Sequence, residues 1–174
     1  MKKIFITLAC ITSVISAANV FAAGSVSGSL GVQLTVTNGC AINGDAASTG
    51  SANIGTLNFG STSSLATAIT GTSAGATSGA IKVQCTNTLP YSVDLDNGVN
   101  ADGASQRRLK QGTEYVTYNL YKDSNRSTPW ESGTPLTKTS TGAPDDLIVY
   151  GQVPPQSTPS AGTYADTVLV TVSW

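Results

Sequence analysis

The chain has 174 residues, 40% apolar and 11% charged, with a formal net charge of −1 and no histidine. That length fits one domain, and the apolar share supports a packed core. The near-neutral charge excludes a phosphate-neutralising surface, and the missing histidine removes the commonest general base and metal ligand.

Lys2 and Lys3 precede an apolar stretch over residues 4–18, and Val20-Phe21-Ala22 places small or β-branched residues before a cut after Ala22. This is the pattern of a secretory signal peptide, and the apolar run is short for a ~20-residue membrane span. Residues 1–22 are therefore expected to be a leader for export. Cys10 leaves with it, and Cys40 and Cys85 remain. Two cysteines in an exported chain pair most simply as a disulfide. No CxxC and no histidine are present to complete a zinc site,.

In residues 25–37, Val26, Leu30, Val32, Leu34 and Val36 all fall on even positions, with Gly28 keeping the parity. Serine, glycine, glutamine and threonine fill the odd ones. Alternation with a period of two predicts a strand. At ~3.3 Å per residue it would span roughly 40 Å, about twice a usual strand. It reads equally as the first strand of the chain's own sheet or as a strand for another molecule.

Residues 44–80 are rich in small and polar side chains, with residues 54–59 a short strand candidate and 71–79 a loop,. Ile81, Val83 and Cys85 alternate, and Tyr91, Val93 and Leu95 alternate after Pro90, which predicts a hairpin-like pair,. Asp96-Asn97-Gly98 carries turn chemistry,. Val116, Tyr118 and Leu120 share one face of a further strand, and residues 147–153 form another, closed by Pro154-Pro155.

The last strand starts near Thr163. Tyr164, Val168, Val170, Val172 and Trp174 share one parity, with Leu169 the one apolar exception on the other. No segment shows a 3.6-residue period. Short strands separated by turns predict an all-β, immunoglobulin-like antiparallel sandwich.

Other candidate sites read as structural. Asp94, Asp96 and Asp102 do not form a calcium loop, because glycine and the closing acid are misplaced,. Arg107, Arg108 and Lys110 read as a solvated basic face. Asp145 and Asp146 point to opposite faces of a strand and cannot converge on a substrate. The sequon at Asn125 matters only in a eukaryotic secretory route. Tyr91, Tyr118, Tyr121, Trp130, Tyr150 and Tyr164 read as core or interface aromatics rather than a sugar platform.

Several blocks together carry a family resemblance. They are Cys85, Tyr91-Ser-Val-Asp-Leu-Asp-Asn-Gly98, Arg108-Leu109, Tyr118-Asn-Leu-Tyr121-Lys-Asp123, Trp130, Tyr150-Gly151, Gly162-Thr-Tyr164-Ala-Asp166-Thr-Val168 and Val170-Thr-Val-Ser-Trp174. They resemble the spore coat protein U domain family, which includes subunits of archaic chaperone–usher pili, across most of residues 38–174. The single-domain length and the N-terminal alternating segment are most similar to the rod subunits of Csu-type pili. Glu131 departs from the family, which often has glycine after this tryptophan.

The resemblance implies a sandwich that lacks one strand and is completed by a donor strand from a neighbouring subunit. It divides the exported chain into a donor extension at 23–37, carrying Val26, Gly28, Leu30, Val32, Leu34 and Val36, and a pilin domain at 38–174. Tyr164, Val168, Val170, Val172 and Trp174 would border the acceptor groove, with the terminal carboxylate held by a basic chaperone residue. The implied partners are identical pilin subunits in a homopolymer, a periplasmic chaperone, an outer-membrane usher, and tip or adaptor subunits. The implied role is adhesion and biofilm formation at the cell surface, with no nucleic acid, no cofactor and no enzymatic activity. The residues alone leave open a self-contained secreted binding module of lectin-like kind.

Overall fold

A computed structural model describes residues 24–43, 45–46, 54–73, 80–103 and 105–174; the expected leader lies outside the described residues. The chain divides into two units, Met1–Thr35 and Val36–Trp174. In the first, residues 24–35 form no helix or strand, and their side chains are exposed.

The second unit is all-β, with antiparallel pairing throughout its described strands. In chain order they are β1 (Cys40–Ile42), β2 (Asp45–Ala46), β3 (Ile69–Thr72), β4 (Ile81–Cys85), β5 (Pro90–Leu95), β6 (Arg107–Gln111), β7 (Glu114–Tyr121), β8 (Leu136–Thr139), β9 (Asp145–Leu147), β10 (Tyr150–Val153) and β11 (Val170–Ser173). One set of ladders runs β2-β1-β4-β9, a second β3-β10-β7-β6, and a third β11-β5-β8.

β3 pairs with β10 in the register Ile69↔Val153 to Thr72↔Tyr150, and β4 with β9 in the register Ile81↔Leu147 to Val83↔Asp145. At the end of β3, Ser73 Oγ accepts the Val149 amide at 2.8 Å and its own amide donates to the Val149 carbonyl at 2.9 Å.

Period-two alternation decides which side chains fill the space between layers. Ile81, Val83 and Cys85 point inward from β4, Tyr91, Val93 and Leu95 from β5, and Val116, Tyr118 and Leu120 from β7. Trp130 lies at the centre and is 1% exposed. Cys40 stands opposite Cys85 in the β1–β4 register and is bonded to it. Closing a loop with a sequence separation of 45 is worth about 4 kcal/mol in the chain-entropy view,.

The expected hairpin of residues 81–95 is not formed. β4 pairs with β1 and β9, whereas β5 pairs with β11 and β8. The connection is an arch that carries the chain from one layer to the other. Ser140 holds it: its Oγ donates to the Cys85 carbonyl at 2.8 Å, its amide to the Leu89 carbonyl at 2.9 Å, and its carbonyl accepts the Thr88 amide at 2.8 Å.

Residues 54–59 also depart from expectation. They form no strand, yet Leu57 and Phe59 pack against the core. The C-terminal strand is shorter than the alternation suggests. Only residues 170–173 form a ladder, and upstream Ala165 makes an isolated bridge to Lys110.

Candidate functional site

β11 is the terminal strand of its ladder set, so one of its edges carries no strand among the described residues. Its partner is β5, in the register Val170↔Leu95, Thr171↔Asp94, Val172↔Val93, Ser173↔Ser92. Leu95 and Val93 are buried, while Val170 and Val172 facing the same core are only half-buried. Tyr164 and Val168, upstream on the same parity, are likewise half-buried and packed on the core, and Trp174 is 50% exposed. An open strand edge beside an incompletely covered apolar surface is a template for pairing.

The segment leading into β11 is held by scattered main-chain bonds of Ala165 with Lys110, Thr167 with Val99 and Leu169 with Asp96, and by side chains. Asp166 is the main anchor. The Tyr118 hydroxyl donates to its Oδ2 at 2.7 Å, and the Asn100 amide and Nδ2 donate to its Oδ1 at 3.1 and 3.0 Å. Burial, and then this bond to a carboxylate, push the Tyr118 hydroxyl well above the ordinary phenol range,. Gly98 passes so close that a Cβ there would collide with the Asp166 carboxylate, and its φ of +77° lies in the left-handed region,. The expected turn at 96–98 therefore also seats Asp166. Asp96 completes it: Oδ1 accepts the amides of Gly98 at 2.9 Å and Leu169 at 2.8 Å.

Arg107 corrects the expectation of a solvated basic face: it is 5% exposed. Its guanidinium donates through Nε to the Asp96 carbonyl at 2.8 Å, through Nη1 to Trp130 at 2.7 Å and through Nη2 to Leu95 at 3.0 Å. Burial lowers its pKa, and the nearby Tyr118 hydroxyl and Asp96, Asp94 and Asp166 carboxylates oppose that shift,. The planar fork ties the end of β5 to the core at the point where β11 begins to pair. Parity could have revealed it. Arg107 stands two residues before Leu109, and the two sit opposite Tyr118 and Val116. Arg108 is partly exposed and stacks on the Tyr115 ring at 4.2 Å.

The remaining candidates separate. Asp145 accepts from the Tyr91 hydroxyl at 2.8 Å and Lys138 Nζ at 2.6 Å, whereas Asp146 pairs with Lys82 at 2.7 Å. Tyr91, Tyr118 and Trp130 are core residues. Among the described residues no group of three or more side chains could hold a metal ion.

In the N-terminal unit and just beyond it, Val26, Leu30, Val32, Leu34 and Val36 are between 74% and 101% exposed. Large aliphatic side chains at such exposure, aligned on one parity, form an apolar stripe that water disfavours.

Comparison with known proteins gives three kinds of likeness. The family profile described as Spore Coat Protein U domain matches residues 26–171. "Protein U" of Myxococcus xanthus is 34% identical over 106 residues, which cover 56% of this chain and 59% of that protein. Among solved structures, the complex of CsuC with the tip adhesion subunit CsuE, from archaic chaperone–usher Csu pili of Acinetobacter baumannii, is similar with a TM-score of 0.47. That likeness has 23% identity and covers 80% of this chain and 40% of that one. A chaperone–tip adhesin complex of CFA/I fimbriae is similar with a TM-score of 0.41 and 15% identity, over 68% of this chain and 38% of that one. The chain thus spans less than two thirds of the length of each.

Proposed function

Because the chain belongs to the spore coat protein U domain family, we propose that it is a structural pilin, exported after removal of residues 1–22. It polymerises by strand donation into a fibre at the cell surface. The observation that carries this reading is a pair of complementary deficits. One part of the chain exposes an alternating apolar stripe at Val26, Leu30, Val32, Leu34 and Val36, and another presents β11 with an open edge over half-buried Val170 and Val172.

Strand addition meets both deficits at once. A strand laid along β11 supplies main-chain hydrogen bonds, and its alternate side chains fill apolar sites. Full burial of the five aliphatic residues is worth about 1.5–3 kcal/mol each. The gross gain is on the order of 10 kcal/mol before ordering costs, enough for a long-lived link between subunits. Gly28 lets the donor backbone approach closely, and the odd-numbered serine, glycine, glutamine and threonine side chains face outward.

On this reading the chain is a rod subunit whose main partner is another copy of itself. A periplasmic chaperone covers β11 before assembly, an outer-membrane usher passes the subunit outward, and tip or adaptor subunits end the fibre. The role is mechanical: attachment and biofilm formation without catalysis. Electron microscopy of exported material, with electrophoresis of unheated samples, tests it. Thin fibres and a denaturant-resistant ladder are expected. Monomer alone, from cells that carry the matching chaperone and usher, would overturn it.

A further inference from the structure

Residues 57–59 cross the inner surface of the layer formed by β3, β10 and β7, and three observations mark this crossing as unusual. The first is its seat. Leu57 and Phe59 lie over a pair of glycines, Gly71 of β3 and Gly151 of β10, which face each other in register. A Cβ on Gly71 would stand 2.9 Å from the Asn58 carbonyl oxygen and 3.0 Å from Leu57, and one on Gly151 would stand 2.8 Å from Phe59. A Cβ at Gly71 would require the Asn58 backbone to shift, and one at Gly151 the Phe59 ring.

The second observation is how it is held. Among the described residues, the main chain of residues 56–60 makes no hydrogen bond to another segment's backbone. Leu57 and Phe59 pack it against the core and are only half-buried. The third is how it ends. Asn43 Nδ2 donates to the Ile54 carbonyl at 3.0 Å. At the far end the Leu65 amide donates to Thr158 Oγ1 at 2.9 Å, and its carbonyl accepts the Gln156 amide at 2.9 Å. Beside Phe59, Gly60 has a φ of +78°, with its amide on Asn58 Oδ1 at 2.8 Å. Two tethers and a glycine bend flank a stretch with no ladder of its own.

We propose that residues 54–60 are a displaceable strap that covers the inner apolar surface in the free subunit and yields to the incoming strand of a second copy. This rests on the strand-donation reading and adds a regulation to it. Leu57 and Phe59 repeat the two-residue step of Leu30, Val32 and Leu34, so strap and donor offer the same kind of apolar row. Phe59 also meets the Tyr118 ring edge-on, with centroids 6.1 Å apart, and Tyr118 holds Asp166 in the segment leading to β11. The strap therefore touches the residue that anchors the acceptor edge. A segment held without a ladder opens at lower free energy than the strands around it. While closed, it reduces apparent donor affinity by the fraction of subunits that are open.

The test uses the full chain and a fluorescent peptide of residues 24–38, read by anisotropy. The double variant L57A/F59A removes the strap's side chains, and G71A crowds the strap off its seat without removing apolar surface. Near-ultraviolet circular dichroism checks that each is folded. Displacement predicts that folded variants bind the peptide about 10-fold more tightly than the wild type, as expected when the competent fraction rises from a tenth to near unity. Wild-type binding that is unchanged or weakened in both variants overturns the strap and leaves strand donation standing. If no form binds the peptide, strand donation fails and the strap falls with it.

Discussion

Tyr118 and Asp166 meet across the sandwich: the phenol of β7 donates at 2.7 Å to the carboxylate of the segment that becomes β11. The bond joins the buried core to the segment that leads into β11, 48 residues later. Asn100 adds two donors to the other carboxylate oxygen. A carboxylate so supplied is a strong acceptor, and hydrogen bonds to charged groups contribute about 1.5–3 kcal/mol.

Tyr118→Phe is expected to lower stability by about 1.5–3 kcal/mol. Asp166→Ala should cost more, because it leaves the buried Tyr118 hydroxyl and the Asn100 amide without their acceptor. Urea midpoints of the two variants check the order.

Alkaline pH should act through the same pair. Burial and then the bond to Asp166 raise the Tyr118 pKa, and burial and then the bond to Asp145 raise that of Tyr91. The folded state therefore favours the neutral phenols, while unfolded phenols titrate near 10. Their contribution is complete below about pH 10 and is lost as pH rises through the folded pKa. The urea midpoint should fall between pH 9 and pH 11. The double variant Y91F/Y118F should show a smaller fall over the same interval.

Arg107→Lys should destabilise by about 3–5 kcal/mol, the range for breaking a buried charged network. Lysine keeps the charge but cannot present three donors in the plane that meets the Asp96, Trp130 and Leu95 carbonyls,. The thermal midpoint of Arg107→Lys against that of Arg108→Lys separates the buried role from the exposed one.

Parity within the N-terminal stripe gives a prediction about assembly. Leu30→Asp and Leu34→Asp should abolish fibres, and Gln33→Asp should leave them. On the acceptor side, Thr171→Lys on the exposed face of β11 should be tolerated, and Val172→Lys should not. Counting fibres in micrographs of each variant checks both sides, and equal tolerance of all five would sink the pairing.

Cys85→Ser should lower stability by about 4 kcal/mol through the freed loop. Secreted yield and the thermal midpoint measure it. Serine at Cys40 should behave the same way, since either change opens the same loop.

The alternating runs were legible because each has one wet and one dry face. β4, β5 and β7 appear where period two places them, with the predicted residues inward, and β11 forms over residues 170–173 of the longer expected run. Partner choice was not legible. The stretch from Thr86 to Leu89 is short enough for a hairpin, yet Ser140, more than fifty residues later, fixes it as an arch. Local turn chemistry cannot distinguish the two. Arg107 was misread because charge was given more weight than parity. Residues 54–59 looked like a strand from their apolar spacing, but the glycines that seat Leu57 and Phe59 lie far along the chain in β3 and β10. Cys40 and Cys85 were the easiest pair to read, because setting aside the expected leader with Cys10 leaves two cysteines and one pairing.

The position of that pair sets a path for force. Tension applied to residues 24–36 enters the body within a few residues of Cys40, after Gly39 and the Thr37 carbonyl have met Thr86 Oγ1. β1 has only three residues, and its ladder to β4 alone would unzip from the end,. The sulfur bridge stands at the first pair of that ladder, Cys40 with Cys85. A pull would therefore load β4 in the core through a covalent bond instead of through the short ladder.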